Sequence, residues 1–346
     1  MNARRIAFTG TRQAEWQDFE LPEQPGAHEV LVKTLWSAVS IGTETAIYAG
    51  THIGFRTPGS RYPSYPYLAG YAATGTVLAV GSAVHGVAPD QVVACAGKHA
   101  SFGVYDVRQH PVVIVPEGVA ADQAALTRLA TISLNGMRLP RLSLGESVAI
   151  LGAGLIGQFA AQFGQLSGGW PVALVDRLPN RLAIAQACGI ALLLDVSARN
   201  LVEAGREVTN GRGFDVVVEA TGAAPVVAQA FELAARYGRV VLLGSPRGRI
   251  EIDPYTNIHA SGVTIIGAHA ATTPGVETVA SRWTLRANFE LALDLLAHGK
   301  LVVGPLISHR LPAAEAADVY EAIVAHPDEY LGVVFDWRDG GREEAR

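Results

Sequence analysis

The sequence predicts an α/β chain with two domains, one doubly wound on a six-stranded parallel sheet and one β-rich and barrel-like. Three observations predict it. The run Ser147-Val-Ala-Ile-Leu-Gly-Ala-Gly-Leu-Ile-Gly157 reads as a buried strand, a glycine turn and the opening of a helix, and Asp176 ends the next apolar run. From Ala120 to His269, strand-like and helix-like segments alternate. Ahead of them, from Arg5 to Pro116, the apolar runs are short and separated by Gly, Pro and Asn/Asp turns.

Taken in order, the start Met1-Asn-Ala-Arg-Arg5 leads into a short strand-like run. Strands follow over Glu29–Thr34, Gly75–Val80, Gln91–Cys95 and Pro111–Val115, with the aromatic-rich stretch Ile47–Tyr67 reading as a long loop. The middle region supplies strands at Val148–Leu151, Val172–Val175, Ala191–Leu194, Val216–Glu219, Val240–Leu243 and Thr264–Ile266. Helical stretches such as Asn180–Cys188 and Pro225–Ala235 lie between them, as crossover connections require. The tail, from about Thr272, holds a long amphipathic helix ending near His298. A strand at Ile307–Leu311, a helix over Ala313–Ala325 and a last strand at Gly332–Trp337 follow. This tail is expected to fold back on the first region, so that residues 1–120 and 271–346 form the β-rich domain and 121–270 the doubly wound one. Asp339–Arg346 is polar and expected to fray.

Composition narrows the function. A chain of 346 residues with 49% hydrophobic and 17% charged residues can bury two cores. The formal net charge of −5 offers no basic surface for nucleic acid. Two distant cysteines, Cys95 and Cys188, make neither a disulfide framework nor a cysteine-rich zinc site, which predicts reduced thiols in a cytoplasmic protein. No signal peptide is visible, and apolar stretches break well short of the ~18 residues of a membrane span.

The glycine turn points to a dinucleotide. Gly152 permits the tight turn, Gly154 admits a pyrophosphate to the backbone, and Gly157 lets helix and strand approach. The opening helix residues Leu155 and Ile156 belong to an N-terminus that offers N–H groups to phosphate oxygens. Asp176 can accept both ribose hydroxyls of an adenosine, with Arg177 and Arg181 at the same end. Ala220-Thr221-Gly222, Leu243-Gly244-Ser245 and Gly267-Ala268 end later strands on the same sheet edge, where the ribose and nicotinamide are expected. The carboxylate of Asp176 favours NAD(H), whereas Arg177 beside it could tolerate the extra phosphate of NADP(H).

Further segments carry a family likeness: Gly42-Thr-Glu44, Leu68-Ala-Gly-Tyr-Ala-Ala-Thr-Gly75, Leu78-Ala-Val-Gly-Ser-Ala-Val84, Asp215-Val-Val-Val-Glu-Ala-Thr-Gly222 and Leu306-Ile-Ser-His-Arg310. With the glycine turn, the chain resembles the medium-chain dehydrogenase/reductase superfamily along essentially its whole length. The likeness implies a Rossmann domain, a GroES-like catalytic domain and oxidoreductase activity. Leu243-Gly-Ser-Pro-Arg-Gly248, Asp253-Pro-Tyr-Thr-Asn-Ile-His259 and Ile266-Gly-Ala-His269 look most like a zinc-lacking branch resembling bacteriochlorophyllide (hydroxyethyl) dehydrogenases. Zinc members carry a cysteine before Gly-Thr-Asp/Glu, a His-Glu pair after the next motif's glycine, and a third ligand in the following helix. Here those positions are Ile41, Tyr71-Ala72 and Arg128, and the four-cysteine lobe is missing between Cys95 and His99. No metal is expected from that set.

Without a metal, a hydrogen-bond donor or cation must stabilise the developing alkoxide of an alcohol–ketone interconversion. Thr43 matches the hydroxyl that passes the substrate proton onward in the zinc family. Tyr71 could direct its phenol at the substrate oxygen or merely fill the vacated zinc cavity. Lys98 and His99 follow the strand that borders the family's substrate pocket, and either could be the general acid/base. His99 could equally orient its loop. Arg128 could supply fixed positive charge or pair with Glu44. In the aromatic loop, Tyr48, His52 and Arg56 could contact a sizeable, partly anionic substrate or simply pack.

The reading is therefore a zinc-independent, NAD(H)-linked dehydrogenase of a small-molecule secondary alcohol. Two alternatives stand beside it: an NADPH-dependent quinone or enone reductase, and a non-catalytic nucleotide-binding sensor. Strand Val263–Gly267 would be a sheet edge in a lone subunit, and the likeness implies that it pairs two subunits into a homodimer.

Overall fold

A computed structural model describes residues 1–278 and 281–339. The chain divides into two compact units. One holds Met1–Leu129, Gly275–Gly299 and the segment from Ile307 on; the other holds Ala130–Pro274 and Lys300–Leu306. Residues 340–346 of the polar tail lie outside the described residues.

The first unit opens with a hairpin of β1 (Asn2–Gly10) and β2 (Gln13–Glu20), followed by β3 (Glu29–Ala38). Helix α1 (Ile41–Tyr48), β4 (Tyr67–Leu68), β5 (Ala73–Val80), β6 (Val92–Cys95), β7 (Phe102–Asp106), β8 (Val112–Ile114) and α2 (Ala121–Ala124) come next. Helix α3 (Thr127–Arg138) carries the chain into the second unit.

The second unit alternates β9 (Val148–Leu151), α4 (Leu155–Leu166), β10 (Val172–Asp176), α5 (Pro179–Ala187), β11 (Leu192–Asp195), α6 (Leu201–Val208), β12 (Phe214–Glu219), α7 (Ala224–Leu233), β13 (Ala234–Leu242) and β14 (Thr264–Gly267). Its sheet runs β11-β10-β9-β12-β13-β14, with every pairing parallel. The strand order reverses between β9 and β12, the switch point at which a ligand crevice opens in such sheets. Strand β9 is wholly buried, which explains why it reads as a continuous apolar run.

The tail contributes α8 (Leu285–Ala297), β15 (Ile307–Pro312), α9 (Ala316–Ala325) and β16 (Gly332–Asp336). It does return to the first unit, since β16 pairs with β3 in a sheet ordered β15-β16-β3-β5-β6-β8, and β7 also pairs with β3. A second sheet, β2-β1-β4, completes the unit. Phe8, Ile47, Tyr48, Tyr320, Phe335 and Trp337 are buried together in its core.

The expected strands are present within a few residues of their ends. The exception is the fifth strand of the parallel sheet, which starts at Ala234, directly after α7. Helix α1 replaces the start of what reads as loop, because its buried side chains (Glu44, Ala46, Ile47, Tyr48) form no simple apolar stripe. No helix among the described residues is long and apolar enough to cross a membrane. Cys95 and Cys188 are free and buried.

Candidate functional site

In the second unit each glycine of the turn has its own reason. Gly152 sits at φ +101°, and a Cβ there would stand 2.6 Å from Cγ2 of Thr221. A Cβ on Gly157 would stand 1.8 Å from the carbonyl oxygen of Gly152, so helix and strand could not close. Gly154 caps α4, and a Cβ there would meet nothing within 4 Å. That open space beside the unpaired N–H groups of a helix start fits a pyrophosphate.

Asp176 fastens this turn. Its Oδ2 accepts from the Ala153 N–H at 2.6 Å and its Oδ1 from the Leu178 N–H at 2.9 Å. Each oxygen keeps a further lone pair for a ribose hydroxyl. Arg177 beside it is exposed, while Arg181 is half-buried and its carbonyl accepts from Nε2 of Gln158 at 2.8 Å.

The other three expected turns stand at the carboxyl ends of β12, β13 and β14. The Ala220 N–H donates to Leu151 at 2.9 Å, and the Ala268 N–H to Leu242 at 3.0 Å. Thr221, Ser245 and Gly267 are exposed, whereas Leu243 and Ala268 are buried. The side chain of Leu243 is turned onto Gly136 of α3, where an added Cβ would meet its Cδ1 at 2.7 Å. Only its backbone belongs to the turn, which corrects the expectation for that residue.

In the first unit, the N-terminal turn of α1 organises a cluster of hydroxyls. The backbone N–H of Ser40 donates to Oε1 of Glu44 at 2.8 Å, and the Ser40 carbonyl accepts from the Thr43 and Glu44 N–H groups. The Tyr71 phenol donates to Oγ of Ser40. The guanidinium of Arg128 lies 5.7 Å from the centre of the Tyr71 ring. Burial pushes the phenol's pKa up and the charge of Glu44 adds to it; hydrogen bonding with Ser40 and Thr43 and the charge of Arg128 pull part of the way back. Tyr71 is therefore a neutral donor at ordinary pH. Gly70, at φ +85°, sets its approach, since a Cβ there would stand 2.4 Å from the His99 nitrogen.

His99 differs from both expectations: it neither faces a substrate nor orients its loop through a backbone hydrogen bond, because its ring is held by side chains of the core. It has no exposed surface; Nδ1 lies 2.7 Å from Oγ of Ser37 and Nε2 lies 2.9 Å from Oε2 of Glu44. With both nitrogens engaged in the core, it orients its surroundings and is not placed to exchange a proton with a substrate. The same Glu44 oxygen accepts from the Tyr320 hydroxyl at 2.6 Å, and Nε1 of Trp337 donates to Ser37 at 2.7 Å. Burial raises the Glu44 pKa, but His99, Tyr320 and the Ser40 N–H outweigh it and the net shift is downward. The contacts that hold the Glu44 carboxylate come from Ser40, His99 and Tyr320, and the guanidinium of Arg128 lies beside the Tyr71 ring.

Lys98 donates to the Leu68 carbonyl at 3.1 Å and lies 5.5 Å above the Tyr67 ring; loss of hydration around its amine lowers its pKa. His52 caps a short 3-10 turn by accepting from the Gly54 N–H at 3.1 Å, and its ring meets Tyr62 edge-on at 5.6 Å. Arg56 is exposed. Tyr48 corrects its assignment to the substrate: it is 4% exposed, packs on Phe8 and Tyr320, and bonds Glu321 through its hydroxyl.

This donor set does not fit a tetrahedral zinc. Ile41 offers no donor, Tyr71 is a protonated phenol, Arg128 is a cation and the Glu44 oxygens are taken. Among the described residues, no three or more His, Cys, Asp or Glu groups come together to hold a metal. Ser40, Tyr320 and Glu219 are site residues that the sequence reading missed. A serine four residues ahead of Glu44 was the available sign of a helix start.

Comparison with known proteins agrees with these two units. The family described as zinc-binding dehydrogenase matches residues 156–301. A zinc-type alcohol dehydrogenase-like protein of Haemophilus influenzae is 26% identical over 324 residues, covering 85% of this chain and 90% of its own length. A structure from Sinorhizobium meliloti bound to NADP superposes with a TM-score of 0.80 at 24% identity, covering 97% of this chain and 99% of that one. An alcohol dehydrogenase from Escherichia coli complexed with NADH gives a TM-score of 0.80 at 21% identity, with coverage of 97% and 99%.

Proposed function

Because the chain belongs to the medium-chain dehydrogenase/reductase superfamily, we propose that it is a metal-independent oxidoreductase interconverting a secondary alcohol and its ketone with NAD(H). The observation that carries the reading is the neutral Tyr71 phenol, held by Ser40 and flanked by Arg128, at a position where zinc members keep a ligand. The zinc in the family's description does not bear on this point: its match covers residues 156–301 and excludes Ile41, Tyr71 and Arg128.

In this reading the second unit holds the dinucleotide, with the pyrophosphate at the open Gly154 cradle and the adenosine ribose on Asp176. The bound nicotinamide supplies or accepts the hydride. In the first unit Tyr71 turns its hydroxyl hydrogen from Ser40 to the substrate oxygen and yields the proton as the alcohol forms. Thr43 and Ser40 hold the phenol in line, and Arg128 stabilises the phenolate left behind. The exposed edge of β14 (Thr264, Ile265 and Gly267) supports pairing with a second copy.

The test is calorimetric titration of metal-stripped protein with NADH and with NADPH, an elemental assay of untreated protein, and turnover of a panel of secondary alcohols. Tight NADH binding, substoichiometric zinc and turnover support the reading. One zinc per chain sinks the metal-free mechanism, and preference for NADPH with enone reduction replaces the alcohol. Binding without turnover of any panel member favours a nucleotide sensor.

A further inference from the structure

Glu219 ends β12 with no exposed surface. Its Oε1 accepts from the Thr221 N–H at 2.7 Å, from the Thr221 hydroxyl, and from the Gly222 N–H at 3.0 Å; its Oε2 shares the Gly222 N–H at 3.0 Å. Its main-chain carbonyl accepts from the Leu243 N–H at 2.9 Å and the Gly244 N–H at 2.7 Å. One residue therefore closes the turn after β12 with its side chain and anchors the turn after β13 with its backbone.

These turns are fitted to the glycine cradle. Thr221 Cγ2 would be 2.6 Å from a Cβ on Gly152, and a Cβ on Gly244 would be 2.5 Å from the Gly222 nitrogen. Thr221 alone could close a turn, since its hydroxyl already accepts from the Ala223 N–H at 3.0 Å. A buried carboxylate is a costly substitute for that. What it adds is acceptance from two successive N–H groups, which fixes where Thr221 stands against Gly152.

We propose that Glu219 is a positioning residue for the half of the dinucleotide that lies beyond the pyrophosphate from the adenosine. The inference rests on the dinucleotide reading above. Strands β12 and β13 lie on the opposite side of β9 from β10, whose Asp176 marks the adenosine half. Removing the carboxylate frees the turn after β12, whose Thr221 and Gly222 stand against the glycine cradle and Gly244, and leaves the Asp176 end intact.

Full-length wild type, Glu219→Gln and Glu219→Ala are titrated calorimetrically with NADH, NADPH and 5′-AMP. For the dinucleotide that wild type prefers, Kd rises about tenfold in Glu219→Ala and by a smaller factor in Glu219→Gln, which keeps one acceptor oxygen. The 5′-AMP Kd stays within about twofold in both. Glu219→Gln preserves side-chain volume and answers the question if the alanine variant does not fold. Unchanged dinucleotide affinity in the variants overturns the proposal, and so does an equal loss for 5′-AMP, which would mean general loosening. If wild type binds neither dinucleotide, the cofactor reading itself fails and takes this one with it.

Discussion

Nε2 of His99 stands 2.9 Å from Oε2 of Glu44, and neither side chain has any exposed surface. A chain of contacts surrounds them: Trp337 Nε1–H donates to Ser37, whose Oγ lies 2.7 Å from His99 Nδ1, and Glu44 also accepts from the Tyr320 hydroxyl and the Ser40 N–H. Both oxygens of the buried carboxylate are therefore engaged, Oε1 by the Ser40 N–H and Oε2 by His99 and Tyr320.

Glu44→Gln replaces the carboxylate by a neutral amide, and its NH2 must then face groups that now donate to a carboxylate oxygen. It is expected to destabilise the fold by about 3–5 kcal/mol, the cost of breaking a buried pair from one side. Urea unfolding followed by tryptophan fluorescence measures it, and a loss below about 1 kcal/mol would show that water or relaxation replaces the network.

Acid should expose the same group. The folded pKa of Glu44 lies below its unfolded value, which is near ~4.3. Its contribution is complete above the unfolded value and is lost as pH falls through the folded one. Melting temperatures between pH 7 and pH 3 should therefore decline below about 4.3 in wild type and more shallowly in Glu44→Gln. Parallel curves would mean that the carboxyl is not ionised in the fold.

Tyr71→Phe removes the proposed donor to the substrate oxygen while keeping the ring beside Arg128. Turnover is expected to fall by roughly 10²–10⁴-fold with NADH affinity unchanged. A variant that retains wild-type kcat assigns the proton to another group.

Gly157→Ala drives a methyl to within 1.8 Å of the Gly152 carbonyl oxygen. The turn must open, and both melting temperature and NADH affinity should drop. Asp176→Ser is the milder companion: it frees the Ala153 N–H and removes the charge that opposes a 2′-phosphate. NADPH should gain on NADH by about tenfold or more in paired titrations.

Much of this was legible in the sequence because it depends on neighbours in the chain. The strand, glycine turn and acid from Ser147 to Asp176 announce themselves by local spacing, and so do the strands of the parallel sheet. The role of His99 was not legible. Its partners Ser37 and Glu44, and their own partners Trp337 and Tyr320, come from distant parts of the chain, and no local pattern joins them. Tyr48 misled for a related reason: an aromatic shortly before a glycine, at the head of an aromatic-rich stretch, reads as loop, whereas α1 turns it into the core. Glu219 was hidden by being an acid at the end of an apolar strand, where only the turn geometry reveals what its oxygens hold.

Ser37 and Trp337 bond across 300 positions of the chain, and Glu44 and Tyr320 across 276. A ribosome finishes α1 long before Tyr320 exists. At ~5–20 residues per second, more than about ten seconds pass between the two. Throughout that interval the partners of Glu44 in the finished fold that already exist are the Ser40 N–H and, once residue 99 is made, His99. The dinucleotide unit, by contrast, has its whole parallel sheet by residue 267. Vectorial synthesis thus builds the cradle first and locks the hydroxyl cluster of α1 last, so a polypeptide stalled after α8 would carry the first without the second.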